Sequence, residues 1–423
     1  MARTPIARDV LAYWASEGVE LTGDLGQAER VLREQVLKIG AEALRLHVQE
    51  RRAGYGGSRR RCSCGKCRVF QGYRPRVLAT LMGSVPIQRA YYGCASCGAS
   101  CFPYDEQAGL GEGQVSVGLG KAATLLGVHE PFESASRMLY ELTGQRLSER
   151  TIERLTPQVG AVAAEEETAL AQRRTAWDAP AALHTPARLY GAVDGMMVHQ
   201  EDGWHEAKTA VCYGEEEGGK REARYLVRFT EAAEFANYVW GSACRCGLQR
   251  AKEVVLLGDG AHWIGDHVAP LLEGATCIVD GYHAMQHVWA CGITLHGEGT
   301  EACRGWVKRM ETWLWKGNVR AILRRLEREQ SRSRSPTKRK ALEALRTDLR
   351  NQDDRLAYDR FRARGLDIGS GRVEAACKSV VGVRMKRNGM RWSPVGTPTT
   401  LSLRTRWMNG DWETFWNTHP LAA

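Results

Sequence analysis

The chain has 423 residues, 43% of them hydrophobic and 26% charged, with a net charge of +10 and a pI near 9.0. Such a length allows roughly two to four domains, and the basic balance favours a polyanionic partner such as nucleic acid. No run of about 18 apolar residues occurs and Met1–Pro5 has no apolar signal core, so neither a membrane span nor secretion is expected.

Residues 27–50 carry Ala28, Val31, Leu32, Val36, Leu37 and Ile39 at near-helical spacing among charged residues, which predicts a packing or dimerisation helix. Arg51-Arg-Ala-Gly-Tyr-Gly-Gly-Ser-Arg-Arg-Arg61 then reads as a mobile basic linker. Residues 1–61 form this N-terminal helix and linker.

Residues 62–106 hold two paired cysteines, Cys64-Gly-Lys-Cys67 and Cys94-Ala-Ser-Cys97, separated by 26 residues rich in strand formers. The chain has thirteen cysteines, and in a cytoplasmic protein clustered thiols indicate metal more often than disulfides. Two thiolates three residues apart in a tight turn can reach one ion, and four close a tetrahedral structural Zn²⁺ site. A zinc ribbon with Cys64, Cys67, Cys94 and Cys97 as ligands is therefore expected, with Cys62 and Cys101 near enough to substitute. The other cysteines read as small buried residues.

Residues 107–180 turn helical. Ala122, Leu125, Leu126, Phe132, Ala135 and Leu139 repeat at helical spacing, Gly144 marks a turn, and Ser148 caps the next helix. This is a helix-turn-helix outline, equally compatible with plain helical packing. From about residue 187 the period changes to short β-leaning runs at 189–193, 208–213, 224–229, 254–257 and 277–279, with a hairpin loop expected over 214–221. Residues 284–365 return to helix, basic and Trp-rich, with a linker-like stretch over 331–340. Their arginines and lysines suit a phosphate backbone or a solvated face. A second basic group, Arg384, Lys386, Arg387 and Arg391, is expected to contact DNA.

Three acidic residues have distinctive contexts: Asp194 in Tyr190-Gly-Ala-Val-Asp-Gly195, Asp259 in Val254-Val-Leu-Leu-Gly-Asp-Gly260, and Glu374 in Gly369-Ser-Gly-Arg-Val-Glu374. The first two follow apolar runs and precede Gly, as expected of carboxylates at the exposed ends of buried strands. A lone Asp-Gly is usually only a turn. Two of them joined by a helix-borne Glu can instead hold two divalent cations, Mg²⁺ or Mn²⁺, for phosphodiester chemistry. The gap of 115 residues between Asp259 and Glu374 leaves room for a helical insertion. Asp280 and His283, in Val279-Asp-Gly-Tyr-His283, are candidate accessory residues. His287 shares a helical face with His283 but lacks a third metal ligand, so it is read as packing, as are Trp263 and Trp289.

Taken with Arg89-Ala-Tyr-Tyr-Gly-Cys-Ala-Ser-Cys97, Gly258-Asp-Gly-Ala-His-Trp-Ile264 and Arg387-Asn-Gly-Met-Arg-Trp-Ser393, these motifs make residues 62–420 resemble insertion-sequence transposases of the ISKra group, themselves similar to Mutator-type DDE transposases. The resemblance implies an α/β RNase H-like catalytic core with an α-helical insertion. It implies that Asp194, Asp259 and Glu374 bind the metals, and that His283 orients DNA or a scissile phosphate. It further implies cleavage and joining at the element's own terminal inverted repeats. The expected divisions are a first part of the core at 185–285, a basic helical insertion at 286–366, and the Glu helix with the rest of the core at 367–423. Expected partners are double-stranded DNA, as element ends and target, and further copies of the chain in a dimer or larger assembly, with no membrane and a nucleoid-associated cytoplasmic location. Rival readings are an RNase H-like nuclease without strand transfer and a zinc-containing DNA-binding regulator.

Overall fold

A computed structural model describes residues 5–16, 18–19, 23–111, 113–172, 181–183, 185–215 and 223–419. The chain divides into two compact units, residues 1–159 with 414–423, and residues 160–413. The hairpin loop expected over 214–221 lies mostly outside the described residues.

The first unit begins with α1 (Pro5–Ser16) and α2 (Leu25–Glu50), the latter capped by Asp24, whose carboxylate accepts the Gln27 N–H at 2.9 Å. A four-stranded antiparallel sheet follows, in the order β1 (Arg59–Arg61), β2 (Cys67–Thr80), β3 (Gly83–Gly93), β4 (Ser100–Cys101). The basic stretch read as a mobile linker is thus partly a strand. Arg59–Arg61 pairs with Cys67–Val69, and the Tyr92 hydroxyl accepts from Gly56 N–H at 3.1 Å and donates to Gly57 C=O at 2.8 Å. Those backbone bonds pin a segment whose composition alone signals freedom. Val48, Ala53, Leu78, Val85, Ile87 and Tyr104 form the core under this sheet.

After α3 (Pro103–Gln107) come α4 (Val117–His129), α5 (Phe132–Thr143) and α6 (Glu149–Ala171). Leu119, Ala123, Ala135, Leu139, Ile152 and Leu155 bury one shared seam. Gly144 ends α5 at φ +72°, a left-handed conformation that favours glycine, and Ser148 accepts the Thr151 N–H at 3.2 Å. The helix–glycine turn–helix outline is therefore present.

The second unit is built on a five-stranded mixed sheet, ordered β7 (Ala223–Arg228), β6 (Gly203–Glu215), β5 (Arg188–Gln200), β8 (Glu253–Gly258), β9 (Thr276–Val279). β5, β6 and β7 are antiparallel neighbours, whereas β8 pairs parallel to β5 and β9 parallel to β8. Antiparallel strands can follow one another through hairpins, but each parallel step needs a crossover. α7 (Ala232–Arg245) supplies the first, burying Phe235, Ala236 and Val239 against Val193, Ala210, Cys212 and Leu256.

After β9 the chain is helical: α8 (Gly281–His296), α9 (Glu301–Trp315), α10 (Val319–Arg332), α11 (Pro336–Asn351) and α12 (Tyr358–Ala363). Trp306, Met310, Ile322, Leu326, Leu342, Leu345 and Leu349 are buried among them, leaving most basic residues outside. The stretch read as a linker is a tight helical hairpin. Ser335 accepts the Lys338 N–H and Pro336 occupies the first turn, so α11 starts four residues after α10 stops. The Tyr358 hydroxyl donates to Val279 C=O at 2.9 Å and its ring packs on Trp315, which ties the helices to the end of β9. The chain closes through α13 (Gly371–Ala376), a π-helical stretch at Cys377–Gly382, α14 (Val383–Met385), α15 (Gly396–Met408) and α16 (Trp412–Thr418).

Candidate functional site

Strand register brings the acidic residues together. Ala192 pairs with Leu257 and Gly258 with Val279, so Asp194, Asp259 and Asp280 follow the last paired positions of three adjacent strands at one level of the sheet. Asp194 does not end its strand as its Asp-Gly context suggested. β5 runs on to Gln200 because it stays paired with β6, Asp194 facing Thr209, after its pairing with β8 has stopped. Glu374 arrives on α13. π-helical turns follow two of the carboxylates, at Ile264–Val268 after Asp259 and at Cys377–Gly382 after Glu374. Such turns are common where a helix must re-aim side chains at a site.

The electrostatics reflect this crowding. The Asp194 carboxyl is held above its ordinary range, first by burial and then by the negative charges of Asp259 and Glu374, against the opposing Gly195 N–H donated at 2.7 Å. Cys377, unremarkable in the sequence, places its thiol 3.7 Å from the second Asp194 oxygen. Burial and that carboxylate push the Cys377 thiol up to about 12, so it remains a neutral donor. Asp259 accepts the Ala261 N–H at 2.8 Å, and Gly260 takes φ +91° in the turn that aims it. Among the described residues, no three of these carboxylate oxygens lie within 4.8 Å of one another.

Asp280 belongs to a different category from the other three. It is only 1% exposed, and both its oxygens are taken by backbone: Oδ1 accepts the His283 N–H at 2.6 Å, capping α8, and Oδ2 accepts the Ser370 N–H. Ser370 is the residue before the Glu374 helix. Asp280 therefore fixes where α8 begins and where Glu374 is delivered, and it is not a free ligand. A Cβ at Gly369 would press on the exposed Tyr282 ring at 3.3 Å, so a side chain there requires that ring to shift. Stacked Tyr190 and Tyr213 hold the preceding segment, with the Tyr190 hydroxyl accepting the Asp367 N–H at 3.2 Å.

His283 and His287 face each other, Nε2 to Nε2 at 3.0 Å, and His287 Nδ1 lies 3.2 Å from Asp348 Oδ2 on α11. His287 is therefore part of a polar chain, not packing. Its partner was invisible in the sequence because Asp348 lies 61 residues further along. Trp263 is packed against Phe235 as expected, but Trp289 is 42% exposed, on the outer face of α8.

In the first unit, four thiols come within 4.8 Å of one another: Cys62, Cys64, Cys94 and Cys97. This group can hold a metal ion. Cys67, expected in it, is replaced by Cys62. The Cys62 N–H donates to Lys66 C=O at 2.8 Å and the Gly65 N–H to Cys62 C=O at 3.0 Å, so the knuckle spans Cys62–Lys66. Cys67 already lies in β2, opposite Arg61 and exposed. The Cys64 N–H and neighbouring thiols lower the Cys62 thiol to about 6. Amide N–H donors at Cys97 and Ser96 lower Cys94. The Ala99 N–H favours the Cys97 thiolate, but the other three sulfurs outweigh it and raise that thiol to about 12. Four sulfurs so close cannot all ionise without a cation.

Of the second basic group, Lys386 and Arg391 are exposed. Arg384 is not: it is 1% exposed, with its guanidinium 4.4 Å from the Trp392 ring centroid. The Arg387 Nε–H bonds Val383 C=O at 2.9 Å. Arg384 is thus a core residue that shapes the loop carrying the exposed cations.

These features define a mixed α/β protein with an acidic cluster on its larger sheet and a separate four-thiol group. The chain belongs to the uncharacterised protein family UPF0236, whose family model matches residues 24–415. No curated protein matches it. Among the described residues, no helix is long and apolar enough to cross a membrane.

Two outcomes follow from this geometry. Cys62→Ser should abolish metal retention by the purified protein while Cys67→Ser keeps it, as read by elemental analysis per chain. Because the folded state raises the Asp194 pKa, it binds that proton more tightly than the unfolded chain. The associated stability is therefore greatest at low pH and is lost as pH climbs from the ordinary 3.8 through the raised value. In EDTA, the urea midpoint of wild type relative to Asp194→Asn should fall over that window.

Proposed function

We propose that this protein is a metal-dependent DNA strand-transfer enzyme, a transposase acting on the ends of its own insertion sequence, on an RNase H-like core. The observation that carries the reading is the convergence of Asp194, Asp259 and Glu374, with Asp194 held above its normal range by burial first and then by the charges of the other two. Close carboxylates destabilise one another unless a cation sits among them. The strand order, three antiparallel strands followed by two parallel ones, supports the reading together with the sequence resemblance.

Two divalent cations at such a site would activate the attacking oxygen and stabilise the leaving one. The chain's own residues do the rest. Asp194 and Asp259 present oxygens from the sheet, and Glu374 approaches from a helix whose start is fixed by Asp280. Exposed Lys386 and Arg391, with the basic outer faces of α9–α11, supply phosphate contacts that locate the duplex without reading its bases. No side-chain nucleophile is required, since water or a DNA 3′-hydroxyl attacks. The four-thiol group is read as a structural zinc site: with all four ligands supplied by protein, it has no open position for catalysis.

Purified protein given labelled duplex carrying the repeats that flank its gene, with Mg²⁺ or Mn²⁺, should cut at the repeat boundary and join the freed end to target DNA. Asp259→Ala and Glu374→Gln should each lower cleavage by at least ~100-fold with the fold intact, as expected for transition-state contacts worth about 3 kcal/mol or more. Cutting without joining would replace the transposase by a nuclease. Repeat-specific binding with no metal-dependent cutting would leave a DNA-binding regulator.

A further inference from the structure

His283, His287 and Asp348 form a hydrogen-bonded chain joining the helical segment to the acidic cluster. Asp348 Oδ2 lies 3.2 Å from His287 Nδ1, and His287 Nε2 lies 3.0 Å from His283 Nε2. The near end of the chain is anchored, since Asp280 accepts the His283 backbone N–H and also holds the start of the Glu374 helix. A cavity of about 520 Å³ between α8 and α11, lined by His287, Ala290, Cys291, Ala344 and Asp348 among others, keeps the far end open to solvent.

Hydrogen-bond direction couples the two rings. Asp348 accepts, so His287 carries a proton on Nδ1. If His287 is also protonated on Nε2, that N–H donates to His283 Nε2, and neutral His283 must carry its own proton on Nδ1. If His287 is neutral, its Nε2 accepts and His283 donates from Nε2, leaving Nδ1 a bare lone pair. One proton on His287 thus decides whether the remaining nitrogen of His283 is a donor or an acceptor. Among the described residues, that nitrogen makes no hydrogen bond within the protein. The charged groups facing His287 are Asp348 from α11 and Asp259 from the end of β8, with His283 and Cys291 on its own helix. Both carboxylates favour the protonated ring, Asp348 most strongly, and burial opposes them; the net effect raises the His287 pKa.

We propose that Asp348 and His287 are positioning residues that hold His283 as the Nδ1–H tautomer, whose N–H donates to a phosphate oxygen of the strand being cut. This rests on the strand-cutting reading above. It assigns to the helical segment, through Asp348, a direct part in arming the site.

The test uses the full metal-loaded chain with ¹⁵N-labelled histidine. In wild type below the His287 midpoint, His283 should be protonated on Nδ1, and its resonance should shift when a short DNA duplex is added. In Asp348→Asn, the His287 midpoint should fall toward 6.5, and His283 should switch to Nε2–H. Cleavage should drop about tenfold or more through kcat with little change in KM, as for other histidine-orienting carboxylates. It should recover as pH is lowered, and Asp348→Glu should restore most of it at neutral pH. An unchanged His283 tautomer in Asp348→Asn would overturn the proposal, as would a tautomer switch that leaves rate and pH profile untouched, or a His283 resonance indifferent to DNA. If wild type cuts nothing while the tautomer switch and DNA-induced shift are both seen, the relay stands and the strand-cutting reading falls.

Discussion

Mutual repulsion of carboxylates is the constraint around which the second unit is organised. Parallel pairing of β5, β8 and β9 delivers Asp194, Asp259 and Asp280 to one level of one sheet, and α13 adds Glu374. Four negative groups so placed would oppose folding if left alone. The chain deals with one of them internally. Asp280 is buried and saturated by backbone N–H groups, so its charge becomes the clasp that joins α8 to the Glu374 helix. Asp194 and Asp259 each accept one backbone N–H, and burial together with the neighbouring charges raises the Asp194 pKa.

The surroundings make sense as support for this arrangement. Cys377 offers Asp194 a neutral donor too weak to displace a stronger ligand. Tyr190 and Tyr213 stack beneath the segment leading to Glu374, and Tyr358 binds the end of β9 to the helical segment. That segment does more than fill the gap between Asp259 and Glu374. It carries a basic outer face and sends Asp348 back toward the histidines of α8. The four-thiol group solves the same electrostatic problem with softer ligands, since a cation is what would allow its crowded sulfurs to ionise together.

Much of the architecture was legible because it is written in local patterns. Apolar runs ending in Asp-Gly located the central strands, Gly144 and Ser148 bounded two helices, and paired cysteines marked the knuckles of the four-thiol group. What escaped depends on non-local geometry. Cys67 has the right sequence spacing, yet hairpin pairing carries it into a strand and substitutes Cys62. Arg384 looks like a phosphate contact until Trp392 is found against it, and Trp289 looks like core until α8 turns it outward. Asp280 and Asp194 share a local signature but differ in surroundings that only the fold decides: backbone amides take both oxygens of Asp280, whereas Asp194 accepts one amide and faces the Cys377 thiol with its other oxygen. His287 lacked a visible partner because that partner comes from another helix.

Divalent-ion binding by Asp194, Asp259 and Glu374 is the property on which the proposed chemistry depends. Mn²⁺ titration of the EDTA-treated, thiol-metal-intact protein, followed by electron paramagnetic resonance, measures this without any assumption about DNA. Two Mn²⁺ ions per chain are expected, with the spin coupling of a close pair, lost in Asp259→Asn and retained in Asp348→Asn. Failure to bind Mn²⁺, or binding indifferent to Asp259, would contradict the proposed chemistry.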